Sequence, residues 1–225
     1  WVSSNNTGGE VVILGGDVTE TLTLDPGTSY LLDAVLLVKN GGRLIIPAGT
    51  KIAARPGGQD VYIASEIGGQ IEVNGTAENP VVMSSVAGQP GDWGGLLLCG
   101  DAPTTEGTNV IAEVGGLVYG GTNPASDSGK INYLVIVGAG AQINSESQFN
   151  GLTLYAVGTG TEISNVATIN GADDGVEFFG GTVSMTNFYA LNNEDDSVDW
   201  TEGWNGTLTN AYVQNDVEGF STAVE

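Results

Sequence analysis

The feature that most constrains the fold is a segment that recurs in the second half of the chain at intervals of about two dozen residues. It occupies residues 150–155, 174–179 and 196–201, so successive copies begin 24 and 22 residues apart. Each copy opens with Asn or Asp, continues with Gly or Ser, and then alternates apolar and polar positions. A fixed period of this length predicts a solenoid, in which each repeat packs only against its neighbours.

A second, independent series runs between these segments. Residues 163–166, 185–188 and 208–211 share an apolar residue, a hydroxyl residue and an asparagine, at offsets of 22 and 23. The three asparagines, Asn165, Asn187 and Asn210, are predicted to form a ladder of stacked amides at a bend of the chain. Two series with one period make coincidence a poor explanation.

Two solenoids have a period near 22–24 residues: the leucine-rich repeat and the parallel β-helix. The Leu-x-x-Leu-x-Leu spacing of the former is missing from the sequence, and helical periodicity is hard to find anywhere. The alternation instead predicts two or three short strands per coil. In this register two columns point inward and one points outward. The inward columns are Leu152/Val176/Val198 and Leu154/Phe178/Trp200, and the outward column is Thr153/Glu177/Asp199.

The first half of the chain shows the same strand pattern with looser spacing. Gly-Gly, Pro-Gly and Asn-Gly turns separate short apolar segments. The predicted strands there are residues 11–14, 21–24, 30–32, 35–38, 43–46, 51–53, 61–63, 70–73 and 81–84. Residues 99–128 lack the repeat and are predicted to be an excursion from the coil. The sequence therefore predicts one all-β domain over residues 1–225, a right-handed parallel β-helix with 22–24 residues per coil and about nine or ten coils at about 4.8 Å each.

Several segments resemble coils of bacterial right-handed parallel β-helix surface proteins. The clearest are residues 41–52, with a glycine, an apolar strand and Pro-Ala-Gly-Thr, and residues 69–85. Residues 92–98 and 173–181 look like later coils of the same group. The resemblance implies the β-helix fold and an exported bacterial protein, extracellular or at the cell surface. It says little about activity, because one fold hosts many functions.

Charge and composition exclude several classes of function. The chain has 27 acidic and five basic residues, for a formal net charge of −22. We therefore expect no nucleic-acid partner and no docking on anionic lipid, since both need clustered cations. No segment of about 18 apolar residues suggests membrane insertion. The absence of histidine excludes His-based catalysis and imidazole metal sites, and Cys99 is the only cysteine, expected to be buried.

The densest polar feature is an acidic cluster on the predicted coil-to-coil stack. In the register above, Asp174 lies over Asp196 and Glu177 over Asp199, so like charges approach one another. A bound cation, raised pKa values or open solvent must relieve the repulsion. Calcium suits such oxygen ligands, whereas a solvated acidic turn and a catalytic carboxylate pair are the alternatives. The predicted metal ligands are Asp173, Asp174, Glu177, Asp195, Asp196 and Asp199.

Polysaccharide-cleaving β-helix enzymes are the catalytic alternative. Pectate-lyase-like enzymes combine calcium on stacked aspartates with an Arg or Lys base, but all five cations of this chain lie at or before Lys130. Polygalacturonase-like hydrolases carry Gly-His-Gly and Arg-Ile-Lys segments that this chain lacks. A hydrolase using two carboxylates remains possible. The chain is therefore predicted to have no catalytic residues of the usual kind.

Aromatic residues near the acidic cluster suggest a sugar-binding alternative. Trp204 lies in a Gly-flanked turn beside Glu202 and Asn205, and is the best candidate for an exposed ring that stacks on a saccharide. Trp200, in contrast, is expected to be a core residue. Polysaccharide is the corresponding partner.

Taken together, these features favour a non-enzymatic, structural or adhesive extracellular protein that presents an acidic, calcium-binding face and forms filaments. The chain reaches residue 225 within what looks like a further coil, without a polar cap. Exposed strand edges at solenoid ends favour pairing with another chain. Self-association through these ends is the predicted partnership.

Overall fold

The computed structural model describes residues 11–145, 147–218 and 220–225, and within them the regular structure is entirely β. Residues 1–10, which belong to the predicted domain, lie outside the described residues together with Glu146 and Gly219. Among the residues described, no helix is long and apolar enough to cross a membrane. The strands are β1 (Val11–Val18), β2 (Thr21–Thr23), β3 (Ser29–Val38), β4 (Arg43–Pro47), β5 (Lys51–Ala54), β6 (Ile63–Ser65), β7 (Gln70–Asn74), β8 (Val81–Ser85), β9 (Leu96–Cys99), β10 (Val110–Ile111), β11 (Val118–Tyr119), β12 (Gly129–Val137), β13 (Leu152–Tyr155), β14 (Glu162–Ile169), β15 (Val176–Phe179), β16 (Met185–Leu191), β17 (Val198–Thr201) and β18 (Leu208–Gln214).

Sixteen of these strands form one sheet in which every pairing is parallel, and this sheet winds into a coil. The predicted all-β parallel β-helix is confirmed. Each turn of the coil visits three faces in the same order, which we call faces A, B and C. Face A stacks residues 16–18, 36–38, 63–65, 96–99, 152–155, 176–179 and 198–201. Face B stacks residues 21–23, 43–47, 70–74, 129–132, 162–164, 185–186 and 208–209. Face C stacks residues 11–14, 29–32, 51–54, 81–85, 134–137, 166–169, 188–191 and 211–214.

Eight strand segments stack on face C in the described part of the chain, so the expectation of nine or ten coils is too high. The chain spends many residues on connections that do not add a coil. The largest are residues 100–128, between faces A and B, and residues 138–151, between faces C and A. The first of these holds the separate antiparallel pair β10–β11.

The repeat register of the second half is confirmed residue by residue. Leu152 pairs with Val176 and Val176 with Val198, and all three side chains are buried in the central core. Phe178 pairs with Trp200 as predicted, yet Trp200 is 44 % exposed, so its assignment to the core is wrong. The reason is its place in the sheet: β17 ends the strand order on face A, and no further strand of the sheet covers it.

The predicted asparagine ladder is present at the bend between faces B and C. The side-chain amide of Asn187 donates to Asn165 at 2.9 Å, and that of Asn210 donates to Asn187 at 3.0 Å. Asn165 in turn donates to Asn132 at 2.8 Å. Asn165, Asn187 and Asn210 have φ between 56° and 59°, the left-handed region in which asparagine is tolerated better than most residues.

A second apolar cluster lies outside the coil, against the outer side of face A. It joins outward residues of the strands, such as Leu97, Cys99 and Tyr155, to residues of the 100–128 connection, such as Val114 and Tyr119. Face A is therefore buried on both sides, as its all-buried strands β9, β13 and β15 also indicate. Cys99 is buried as expected.

Candidate metal centre

The acidic cluster lies at the bend between faces C and A, where residues of two successive coils stack. Asp174 in one coil accepts a hydrogen bond from the backbone N–H of Asp196 in the next, at 2.9 Å. On the preceding coil, the N–H of Gly151 donates to the carbonyl of Asp174 at 2.8 Å. Gly175 is required here by space, because a Cβ at this position would lie 2.6 Å from the carbonyl oxygen of Ser197. The stacking of Asp174 and Asp196 follows the register predicted from the sequence.

Two sets of three carboxylates converge at this bend. One contains Asp173, Asp174 and Asp195, and the other contains Asp174, Glu177 and Asp199. Within each set, one oxygen from every residue lies within 4.8 Å of the others, and Asp174 belongs to both. Clusters of buried carboxylates at this spacing can hold a metal ion.

Five of the six predicted ligands fall within these two sets. The sixth, Asp196, accepts hydrogen bonds from the N–H and the hydroxyl of Thr222, at 2.5 and 2.8 Å. Its carboxylate therefore anchors residues 221–225, which run beside β17, rather than joining either set.

Burial distinguishes the cluster from an ordinary acidic surface. Asp174 is 7 % exposed and Glu177 is 9 % exposed, whereas Asp195 reaches the surface. Glu177 points outward from face A, as predicted, but the outer cluster that packs on this face shields it from water. A fully solvated acidic turn, one of the alternatives raised by the sequence, is therefore wrong for Asp174 and Glu177.

Three neutral polar residues surround Glu177. The side-chain N–H of Asn150 donates to the Glu177 carboxylate at 2.7 Å, and Thr153 pairs with Glu177 on the neighbouring strand. The Asn150 carbonyl oxygen, the Thr153 hydroxyl and the Tyr155 hydroxyl are all buried without a hydrogen-bond partner. Buried polar atoms are rarely left unpaired, so these three oxygens are available to bind a water or a ligand.

The environment raises the pKa of several carboxyl groups in the cluster. Burial and the charge of Asp195 raise the pKa of Asp173 to about 7. Burial and the charge of Asp173 raise the pKa of Asp174 to about 8. For Glu177, burial and the nearby charges of Asp174 and Asp199 raise the pKa to about 10. Without a cation, the cluster is therefore stable only with protons retained on these groups.

No basic side chain supplies a positive charge that would neutralise the cluster. Of the five basic residues, all of which the structure describes, four pair with carboxylates outside the cluster, and Lys51 is exposed on β5. The ion pairs are Lys39–Glu66, Arg43–Glu72, Arg55–Asp33 and Lys130–Glu162. The charge that neutralises the cluster therefore has to come from protons or from a bound cation.

The predicted sugar-binding tryptophan, Trp204, lies against the core instead of standing free. Its ring stacks on Phe178 with centroids 4.2 Å apart, and its N–H donates to the carbonyl of Val183 at 2.9 Å. The ring is half-buried, with the more exposed Trp200 6.0 Å away. The expectation of an exposed ring is therefore wrong for Trp204, and its role in carbohydrate binding stays a prediction.

Comparison with known proteins agrees with this architecture. The sequence model of the pectate-lyase-like β-helix domain matches residues 16–224, nearly the whole chain. The chain belongs to this family. No curated protein and no solved structure gives a significant match to this pectate-lyase-like β-helix domain.

Sequence reasoning missed Asn150 and Glu113 beside the cluster of this pectate-lyase-like domain, and it placed Thr153 in the outward column with Glu177 without assigning it a role. Asn150 and Thr153 lie on the coil before the acidic residues, where the repeat shows neutral side chains. Glu113 comes from the 100–128 connection and adds its charge to that of the cluster. The position of Asn150 at the head of its repeat, equivalent to Asp174, is the one signal that could have placed it here.

Proposed function

We propose that this domain is a non-catalytic extracellular β-helix, structural or adhesive in role, whose acidic bend binds calcium and thereby ties consecutive coils together. The support for calcium is chemical. Carboxylate, amide and hydroxyl oxygens from Asp174, Glu177, Asp199, Asn150 and Thr153 form the hard, oxygen-only set that calcium prefers, with the six to eight ligands it takes completed by backbone or water.

The observation that carries this proposal is the unpaired oxygen of Asn150 beside a buried Glu177 that has no basic partner. Water alone would satisfy the amide but would leave like charges facing each other. A divalent cation satisfies the amide oxygen and neutralises the carboxylates together, so it accounts for both features.

Calcium titration of chelator-treated protein by calorimetry tests the proposal. The unmodified domain is expected to show saturable binding, and Asp174→Asn, which alters the residue shared by both carboxylate sets, is expected to weaken it at least about tenfold. Asn keeps the oxygen that accepts from the Asp196 N–H, so the bend is retained. Glu78→Gln, at an exposed site, is the matched control and should bind as the unmodified domain does. Absence of saturable heat would overturn the calcium proposal.

A polysaccharide lyase is the alternative that the family assignment favours. Its weakness is the base: every Lys and Arg is either in an ion pair away from the cluster or on face C. Incubation with polygalacturonate and calcium, followed by assay for unsaturated oligosaccharides, tests it directly. We expect no turnover, and calcium-dependent product formation that is lost in Asp174→Asn would replace the non-catalytic proposal.

The extracellular bacterial location and the self-association of the domain belong to the same proposal. The acidic excess of 27 to five keeps such a surface hydrated, and β18, which ends the order of the sheet, offers a backbone edge for pairing. Localisation is testable by fractionation of cells that naturally make the protein and detection with an antibody against the folded domain. Recovery in the cytoplasmic fraction alone would contradict it.

A further inference from the structure

A groove of about 360 Å³ lies on the outer surface at the bend between faces B and C, next to the asparagine ladder and away from the acidic bend. Small-molecule sites typically measure about 300–1,000 Å³, so it is large enough for a small ligand or one unit of a larger one. The residues that give the groove its chemistry are Tyr133, Ala167, Asn187 and Tyr189, and we call it the tyrosine–asparagine groove.

The floor of the groove is set by side-chain size along one outward column of face C. Val135, Ala167, Tyr189 and Tyr212 pair in sequence from coil to coil, so their side chains stand side by side. Ala167 is the smallest of the four and leaves a notch before Tyr189. The Tyr189 ring is held in place by stacking on Tyr212, with centroids 5.6 Å apart and planes at 22°.

Tyr133 and Tyr189 line the groove from coils two apart. Two coil steps correspond to about 10 Å, which leaves the space over Ala167 between the two aromatic positions. The rings offer flat apolar surface, and their hydroxyls offer polar groups at the rim.

The amides beside the notch have capacity that the ladder does not use. Asn187 donates one N–H to Asn165 and accepts one from Asn210. An asparagine side chain has two N–H donors and a carbonyl with two lone pairs, so one N–H and one lone pair of this exposed amide remain for a ligand.

Charge defines the class of ligand. None of the residues that line the groove is charged, although the chain as a whole carries 27 acidic residues. An anionic ligand would meet no cation there and a cationic ligand would meet no carboxylate. Flat aromatic surface, fixed amides and no charge suit a neutral sugar ring, which has an apolar C–H face and hydroxyl groups around its edge.

We propose that the tyrosine–asparagine groove binds a neutral saccharide unit, with its C–H face on Tyr189 and its hydroxyls on the amide of Asn187. This site differs in place and chemistry from the acidic bend, since the length of a face C strand separates the two. It also differs from the Trp204 turn. The proposal does not depend on calcium, so Asp174→Asn leaves sugar binding unchanged.

Calorimetry and saturation-transfer NMR with cellotetraose, mannotetraose, galactotetraose and trigalacturonic acid test the site. At least one neutral oligosaccharide is expected to bind with a Kd below about 10 mM. Ala167→Leu fills the notch and removes no contact of the fold, and it should weaken binding about tenfold or more. Tyr189→Ala should do the same, whereas Tyr189→Phe keeps the ring and should retain binding within about threefold.

Val82→Leu is the matched control, because Val82 stands in the same outward column but does not line the groove. It should bind as the unmodified domain does. The proposal is overturned if no neutral oligosaccharide binds saturably, if only trigalacturonic acid binds, or if Ala167→Leu binds as tightly as the unmodified domain. Loss of binding in Trp200→Ala with no loss in Ala167→Leu would move the sugar site to the tryptophans.

Discussion

Glu177 is a carboxyl group on the outer side of a strand, shielded from water, with two other carboxylates in reach. Its raised pKa, and those of Asp173 and Asp174, mean that the folded state binds more protons than the unfolded state from about pH 4 upward, with Asp173 contributing to about pH 7, Asp174 to about pH 8 and Glu177 to about pH 10. The free energy of unfolding therefore falls as pH rises through this range. The folded state must either take up protons that the unfolded state has already lost, or hold charged carboxylates that have no partner.

This gives a first prediction on pH. In chelator, the midpoint of thermal unfolding is expected to be higher at about pH 5 than at about pH 8, and saturating calcium should reduce the difference by replacing protons at the cluster. Differential scanning calorimetry at both pH values checks it. A pH dependence that calcium leaves unaltered would speak against cation binding at this bend.

A second prediction inverts the usual effect of removing a buried polar group. With its pKa raised to about 10, Glu177 has to take up a proton on folding at about pH 8, whereas Gln is neutral in both states and keeps the shape. In chelator at about pH 8, Glu177→Gln should therefore raise the unfolding midpoint by at least about 2–4 °C, the effect of about 1 kcal/mol in a domain of this size. The same change should abolish the stabilisation by calcium. Glu78→Gln should leave both quantities as they are in the unmodified domain. A residue with a purely structural role would lose stability under both conditions.

A third prediction concerns the bend residue Asn187. It combines φ of 59° with two ladder hydrogen bonds. Asn187→Gly keeps the backbone freedom and loses the ladder, whereas Asn187→Ala loses the ladder and adds left-handed strain of about 1 kcal/mol. Urea denaturation should therefore rank the alanine variant below the glycine variant by about that amount. Equal stability of the two would mean that the bend relaxes to another conformation.

At the scale of elements, the strands were predictable because each apolar position recurs one coil later. Two predicted strands, residues 30–32 and 35–38, join into β3, which turns from face C to face A at a register shift in its pairing with β1, between the pairs Leu14–Leu32 and Gly16–Leu36. The segment predicted as 61–63 is displaced, and β6 begins at Ile63. In β3, no Gly or Pro marks the bend at residues 33–35.

The outer covering of face A was not predictable from the repeat. Alternation assigns every second residue of a strand to solvent, whereas β9 and β15 are buried throughout. The uninterrupted apolar run Leu96–Cys99 was the available signal, since strands of parallel sheets that are covered on both sides lose alternation. The stacking of acidic residues followed from the period alone, but their burial depends on a connection that does not repeat.

A fourth prediction follows for that connection. The carboxylate of Glu202 accepts hydrogen bonds from Thr104 and Tyr119, each at 2.7 Å, and so fastens the 100–128 connection to the coil. Glu202→Ala should accelerate amide hydrogen exchange about tenfold or more in residues 104–120 and leave exchange in β13 unchanged. Glu106→Gln, exposed on the same connection, is the control. Uniform acceleration over the whole chain would indicate a global loss of stability instead.

At the scale of the whole molecule, the domain is a stack in which each coil is stabilised by the coils before and after it. One continuous apolar core runs from Leu14 to Val198 through all three faces. A cation bound between Asp174 and Asp199 therefore acts on two coils together, and its effect is expected to appear in the stability of the whole stack.

A fifth prediction concerns association. Strands β17 and β18 end the order of the sheet, with Trp200 44 % and Tyr212 62 % exposed beside them. Burial of such edges and side chains favours end-to-end pairing. Sedimentation velocity is expected to show mass that increases with protein concentration, and charged substitutions such as Tyr212→Lys should shift the equilibrium toward monomer. A single monomeric species over the whole concentration range, with and without calcium, would contradict end-to-end assembly.

Because a second apolar cluster covers the outer side of face A, the three flanks of the coil differ from one another. Among the described residues, two flanks, faces B and C, lack such a covering, while the third is thickened by the 100–128 connection. A neighbour that lies alongside the rod, whether a wall polymer or another rod, therefore approaches most closely on the bare flanks. The carboxylates lie at the bend between faces C and A, and the amide ladder lies at the bend between faces B and C. Bound ions and bound sugars would therefore lie along two different edges of the rod.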